Sequence, residues 1–119
     1  MHFDGLNWES IEKQIKGYGK KPPFDYVVID DFFTKDFAKK LSKEFPAYES
    51  ETWHGYDNPI EVKKVCNNWN LFPAATYSAF SYLNSQEWLT YISTTLIGGR
   101  KLLSDSGLNG GGWHTHRRG

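Results

Sequence analysis

Apolar side chains recur at three- and four-residue spacing in four segments of the chain, which is the period of an amphipathic helix. The first stripe is Trp8, Ile11 and Ile15, between Asn7 and the glycines at 17 and 19, and the second is Phe37, Leu41 and Phe45, between Thr34 and Pro46. The third stripe is Tyr77, Phe80 and Leu83, after Pro73, and the fourth is Trp88, Ile92 and Leu96, before Gly98 and Gly99. The flanking residues are of types that cap or terminate helices. The pattern therefore predicts four short helices.

Aromatic and β-branched runs between these segments predict strands. The predicted strands are residues 24–29, a short stretch around Ile60, Val62 and Val65, and Leu102 with Leu103. The first run is apolar at nearly every position, which is typical of a strand covered on both faces. Because the strands are few and short, the sheet that they imply is too small to cover the apolar faces of four helices.

Residues 48–59 show neither helical nor strand periodicity, and the segment is interpreted as a loop. It carries Trp53, His54 and Tyr56 close together. One hypothesis is a small non-catalytic binding module in which these side chains contact a partner. The alternative is that the rings pack back onto the helices and serve the core.

The composition narrows the classes of function. Fourteen acidic and fourteen basic side chains balance in 119 residues, so no field concentrates nucleic acid or an anionic membrane around the protein. Cys66 is the single cysteine, which excludes an internal disulfide and fits a reducing, cytoplasmic setting. No secretory leader pattern and no long apolar run is present, so we expect a soluble protein with residues 1–119 in one domain.

The segment with the clearest chemical character is glycine-rich and then histidine-rich. Gly110, Gly111 and Gly112 are consecutive, and such a run usually marks a positive φ or a close backbone approach. His114 and His116 follow two residues apart. On a strand this spacing directs both imidazoles to one face, with about 6.6 Å between their α-carbons. Both could therefore contact one small ligand.

Arg117 and Arg118 add guanidinium groups that can hold a carboxylate in a bidentate fork. The same composition is also typical of a frayed tail. A zinc or copper site at His114 and His116 is a further hypothesis, but it needs a third ligand from elsewhere in the chain. His2 and His54, the remaining histidines, are interpreted as surface residues.

Two segments carry a resemblance to a known family. The run from Phe24 to Phe33 before a capped helix, and the Gly110–His114 segment with Arg118-Gly119, resemble the iron(II)- and 2-oxoglutarate-dependent dioxygenases, in particular the prolyl-hydroxylase-like branch. The resemblance extends from about Pro22 to the last residue. It implies an α+β fold made of the N-terminal helices and first strands of an incomplete double-stranded β-helix, or jelly roll.

By this resemblance the whole protein is an oxygenase that hydroxylates a protein or a small molecule, with iron(II), 2-oxoglutarate and ascorbate among the implied cofactors. The family holds iron with a His-x-Asp pair and a distant histidine, and this sequence has no His-x-Asp or His-x-Glu. No catalytic residue and no metal ligand is therefore assigned. The glycines, His114, His116 and Arg117 are expected at most to line the approach to an active site.

The interpretation predicts that this chain is the N-terminal part of a larger dioxygenase domain and is inactive alone. A partial fold would leave a sheet edge and an apolar helix face uncovered. We therefore expect a homo-oligomer that associates through one of these surfaces.

Overall fold

The structure, a computed structural model, describes residues 3–19, 22–57, 62–109 and 111–116, without the side chains of His54, Tyr56, Asp57 and Val62. It combines four helices with one antiparallel sheet, which is consistent with the predicted α+β class. The helices are α1 (Trp8–Gln14), α2 (Lys35–Glu44), α3 (Ala74–Leu83) and α4 (Gln86–Leu96). Single 3-10 turns follow α1 at Ile15–Gly17 and precede α3 at Trp69–Leu71.

Side-chain caps fix where the helices begin. Asn7 accepts a hydrogen bond from the amide of Ser10 at the start of α1, and Thr34 accepts one from Phe37 at the start of α2. The Ser85 hydroxyl does the same for α4. All four predicted helices are confirmed. None of the helices in the described ranges has the length and apolar character needed to cross a membrane.

Three short strands form one antiparallel sheet in the order β1 (His54–Asp57), β2 (Val62–Cys66) and β3 (Trp113–His116). Strand β2 pairs with β3 so that Val65 lies opposite His114 and Lys63 lies opposite His116. The strand predicted around Val62 and Val65 is therefore confirmed. Strand β1 lies inside the segment predicted to be a loop, so that prediction is wrong for residues 54–57.

Two predicted strands are absent. Residues 24–29 form no strand, and their one ladder contact among the described residues is an isolated bridge between Gly19 and Tyr26. Phe24 and Val28 are 66% and 68% exposed. The segment therefore has the apolar sequence of a strand buried on both faces, but no described strand lies beside it to bury those side chains. Leu102 and Leu103 are likewise not paired in a ladder, and Leu103 is 80% exposed.

Two apolar clusters form the core. The first joins α1 to α4 through Leu6, Ile11, Ile15 and Trp88, and aromatic rings from Phe3 to Tyr91 surround it. The second lies against one face of the sheet and contains Cys66, Phe72, Leu108 and Trp113. Cys66 in β2 and Trp113 in β3 are paired residues and both are buried, so this face of the sheet is the one that the helices cover.

Candidate functional site

Strand β3 places the two histidines on the uncovered side of the sheet. Trp113 is buried against the second core cluster, whereas His114 and His116 are exposed, as the alternation of a strand requires. Their shared face, predicted from the two-residue spacing, is confirmed by the pairing of β3. Lys63 and Val65 lie directly opposite them on β2 and share this side. We call the surface formed by Lys63, Val65, His114 and His116 the histidine face.

A cleft of about 240 Å³ opens at one end of the histidine face. We call it the histidine cleft, and its lining residues are Lys63, Val65, Asn67, Leu108, Asn109, Gly111 and His114. Strands β2 and β3 supply the floor, and the described residues of the 105–111 loop supply one wall. The polar members carry an ammonium group, an imidazole and two amides.

Hydrogen bonds hold the loop wall in place. The Asn84 side chain, at the end of α3, accepts from the amide of Asp105 at 2.8 Å. The Asp105 carboxylate in turn accepts from the amide of Asn109 at 2.9 Å, and its carbonyl accepts from the amide of Leu108 at 2.9 Å. Asn67 donates from its amide to the Leu108 carbonyl at 3.4 Å. The wall is thereby anchored both to a helix end and to the end of β2.

Gly112 brings the loop into β3 by a close backbone crossing. Its φ is +100°, and a β-carbon built there would lie 2.5 Å from the Cys66 carbonyl oxygen. Both properties exclude an L side chain with a Cβ unless the backbone shifts. The predicted need for glycine is therefore confirmed at this position. A β-carbon built on Gly111 would make only ordinary contacts, with a side-chain carbon of Leu108 at 3.6 Å. Gly110 lies outside the described residues.

Lys63 is the cationic side chain among the described residues that line the histidine cleft. The carboxylate of Asp105 lies 4.0 Å from a β-carbon built on Gly111, which is another of the lining residues. Lys63 also stands directly across from His116, where its charge would repel a divalent cation bound between the histidines. Across the part of the chain that the structure describes, no three histidine, cysteine or carboxylate side chains gather as a metal site. The zinc or copper hypothesis stays a prediction without a third ligand identified.

Trp53, in the proposed partner-binding loop at 48–59, is partly buried and packs against two other aromatic rings. Its ring lies 5.3 Å from that of Phe45 and 6.0 Å from that of Trp113, measured between centroids. Its indole nitrogen donates to the Ala47 carbonyl at 2.7 Å. The side chains of His54 and Tyr56, together with the whole of Arg117, lie outside the described part of the chain.

A larger, apolar cavity of about 490 Å³ lies on the opposite side of the sheet, between α2 and α3. Its walls include Leu41 of α2, Phe45 directly after α2, Phe80 and Leu83 of α3, and Trp113 of β3. Residues from the predicted apolar stripes of the two helices line this cavity. It holds no converging charged groups, so it offers apolar contact area without a chemical function.

Glu44 fastens the end of α2 to the start of α3 beside this cavity. Its carboxylate accepts from the amides of Ala75 and Thr76 at 3.0 and 2.7 Å and from the Thr76 hydroxyl at 2.8 Å. Burial by itself raises the pKa of Glu44, but the hydrogen bonds from Thr76 and Ala75 and the nearby Lys40 outweigh it, so the pKa lies below its ordinary value. The negative charge also suits a helix N-terminus.

Sequence reasoning found His114 and His116 but missed Lys63, Asn67 and Asn109. Lys63 belongs to a strand that the sequence predicted, so the face of the sheet on which it lies could have been inferred once the strand register was known. The two asparagines follow a strand and a turn, where their chemistry has many local explanations. Their convergence depends on the fold of the 105–111 loop, which no local pattern specifies.

No protein-family model matches this chain, and neither a curated protein nor a solved structure matches it significantly. The function must therefore be inferred from the chemistry of the histidine face, from the way the sheet is covered and from the motif resemblance of the sequence.

Proposed function

We propose that this chain is the N-terminal part of an iron(II)- and 2-oxoglutarate-dependent dioxygenase of the prolyl-hydroxylase-like branch. Its sheet would then be the beginning of a jelly roll. The observation that carries the proposal is the placement of the His-Thr-His strand. It follows a glycine crossing, packs Trp113 against the helical layer and presents His114 and His116 on the opposite, uncovered face.

The covering of the sheet supports this proposal. Among the described residues, helical side chains pack against the Trp113 face of the sheet, and under the proposal the histidine face becomes the inner surface of a closed or double sheet, where such folds hold their ligands. In addition, β3 is at an edge of the described sheet, and its outer backbone groups can pair with a further strand. The exposed apolar run at 24–29 offers a second place for strand pairing.

The residues present do not fit the iron centre of the family. Two histidines and one carboxylate must surround non-haem iron, and the described residues bring no carboxylate together with His114 and His116. We therefore assign no catalytic step to this chain. Under the proposal, the iron ligands belong to residues that follow it in a longer protein, and hydroxylation of a C–H bond is the activity of that protein.

Sequencing the gene beyond the codon for Gly119 tests the proposal most directly. We expect a His-x-Asp within roughly ten codons and a second histidine some tens of residues later, as a facial metal triad requires. The longer product should then convert 2-oxoglutarate to succinate with iron(II), and the 119-residue chain should not. A reading frame without such a triad, or turnover by the short chain, would contradict the proposal.

The alternative, an interaction module built on residues 48–59, has less support because the ring of Trp53 is partly buried against Phe45 and Trp113. Replacing Trp53 with alanine should lower the free energy of unfolding by about 2–4 kcal/mol, as expected for removal of a packed ring. Urea denaturation measures this loss. A Trp53→Ala chain of unchanged stability would return the ring to a role in binding.

A further inference from the structure

We propose that the apolar cavity between α2 and α3 binds one small, uncharged aromatic molecule. This inference goes beyond the proposed function, because the cavity lies on the opposite side of the sheet from the histidine face and involves no iron chemistry. Its volume of about 490 Å³ falls within the range of protein sites that hold small organic ligands.

The first argument is the incomplete covering of α2. Its apolar stripe continues through Leu41 to Phe45, directly after the helix, yet none of the ten residues of the helix is buried. The other three helices each bury at least one residue. Leu41 and Phe45 line the cavity, and Phe45 is 43% exposed although α3 packs against α2. A molecule in the cavity would remove this apolar surface from water, which stabilises the bound state.

The second argument is the aromatic character of the walls. Four of the nine residues that line the cavity carry rings, namely Phe33, Phe45, Phe80 and Trp113. The rings of Phe45 and Trp113 lie 5.7 Å apart, measured between centroids, in an edge-to-face arrangement. Contacts between rings contribute binding energy beyond the burial of apolar area. The walls therefore favour an aromatic ligand over a saturated chain of the same size.

The third argument is charge. None of the described residues that line the cavity has a charged side chain. The lining residue Thr76 donates its hydroxyl to the Glu44 carboxylate at 2.8 Å, so a negative charge lies directly behind one wall. An anionic ligand would be repelled by Glu44, and any ion would lose its hydration against apolar walls. Ser42, an exposed member of the lining, can bond a hydroxyl group of a neutral ligand.

Titration of the 119-residue chain with 2-naphthol, which is uncharged at pH 7, tests the inference. We expect saturable NMR shifts at the methyl groups of Leu41, Ala79 and Leu83, which all line the cavity. 2-Naphthoate has the same ring system with a negative charge and is the matched ligand control. It should bind about tenfold more weakly or less, because it must place its carboxylate near Glu44 in a cavity without a lining cation.

Two substitutions that fill the cavity test its role in binding. Ala79→Leu enlarges a side chain of α3, and Leu41→Trp enlarges one of α2, a helix without buried residues. Each should weaken 2-naphthol binding about tenfold or more, because it occupies the space of the ligand. Ala74→Leu makes the first change at an exposed position of α3 and should leave binding unchanged. The amide spectrum of each variant shows whether the fold is retained.

Three results would overturn the inference: shifts that do not saturate, equal binding of the two naphthalene ligands, or binding that both folded filling variants leave unchanged. Binding that weakens as the protein concentration rises would assign the cavity to a side chain of a second copy, and it would overturn the inference as well. None of these measurements involves iron or turnover, so their outcome is independent of whether an iron triad follows Gly119.

Discussion

At the scale of single residues, Gly112 is a position where the backbone tolerates little change. An alanine there must adopt a φ of +100° and place its β-carbon against the Cys66 carbonyl. We expect Gly112→Ala to lower the free energy of unfolding by about 2–4 kcal/mol, from backbone strain together with a displaced β3. Thermal or urea denaturation measures the change.

Gly55 in β1 provides the matched control for that substitution. It is also a strand glycine, but it has no left-handed φ and no atom lies within 4 Å of a β-carbon built on it. Gly55→Ala should be neutral or slightly stabilising, because alanine has less conformational freedom to lose on folding. Equal losses for the two variants would mean that the crossing at Gly112 is not a constraint.

Glu44 makes stability depend on pH. A carboxyl with a lowered pKa in the folded chain stabilises it above the unfolded pKa, near 4.5, and the contribution is lost as pH falls through the folded value. Glu44→Gln should therefore cost about 1–2 kcal/mol at pH 7, where the ionised form accepts three hydrogen bonds. The difference in the free energy of unfolding between Glu44→Gln and the native chain should disappear in acid. Denaturation at both pH values measures it.

The exposed Glu49 lies in a turn and provides a comparison for the same chemical change. Glu49→Gln should leave unfolding unaltered at either pH. If the deficit of Glu44→Gln persisted undiminished at pH 3, the ionised carboxylate would not be the source of its stabilisation.

At the scale of elements, the link from α3 to the loop wall carries a prediction of its own. Removing the Asn84 side chain deletes the acceptor for the Asp105 amide and the donor to the Phe80 carbonyl. We expect Asn84→Ala to cost about 1–2 kcal/mol and to speed hydrogen exchange at the amides of Asp105 and Asn109.

Asn70 serves as the comparison, because it is exposed in a 3-10 turn. Asn70→Ala should leave exchange in the 105–111 loop as it is in the native chain. Unaltered exchange in Asn84→Ala would show that the loop is held by its other bonds alone.

The elements also show what the sequence could reveal. The four helices were predictable because their signals are local: each apolar stripe lies within about three turns, and Asn7 and Thr34 precede two of them. The spacing of His114 and His116 was local as well, so their common face could be stated before the fold was known.

Strand pairing depends on distant residues, and there the predictions fail. The run at 24–29 has the composition of a strand but no partner along its length among the described residues. The segment His54–Asp57 has no apolar alternation, yet it is a strand because β2 lies beside it. For the same reason the roles of Lys63 and Asn109 in the histidine cleft required the register of β2 and β3 and the path of the loop.

At the scale of the whole molecule, the uncovered surfaces predict association. Phe24, Tyr26 and Val28 are all exposed within one short segment, and β3 is at an edge of the described sheet. With no net charge to keep copies apart, we expect a dimer or larger assembly at high concentration. Light scattering over a concentration series measures the mass.

A charge placed in the exposed segment should weaken this association. Val28→Lys introduces a lysine where an apolar side chain is 68% exposed, so its cost to the folded monomer is small. Thr94→Lys, at an exposed position of α4, adds the same charge elsewhere. A monomer at every concentration in the native chain, or equal dissociation by both variants, would contradict the prediction.

The buried position of Cys66 has a practical consequence. It is the single thiol of the chain, and it lies 4% exposed under Trp113 at the junction of sheet and helices. An alkylating reagent can reach the sulfur only after this junction has separated. The rate of its modification therefore measures how often the two layers separate, and a ligand that holds them together should slow it.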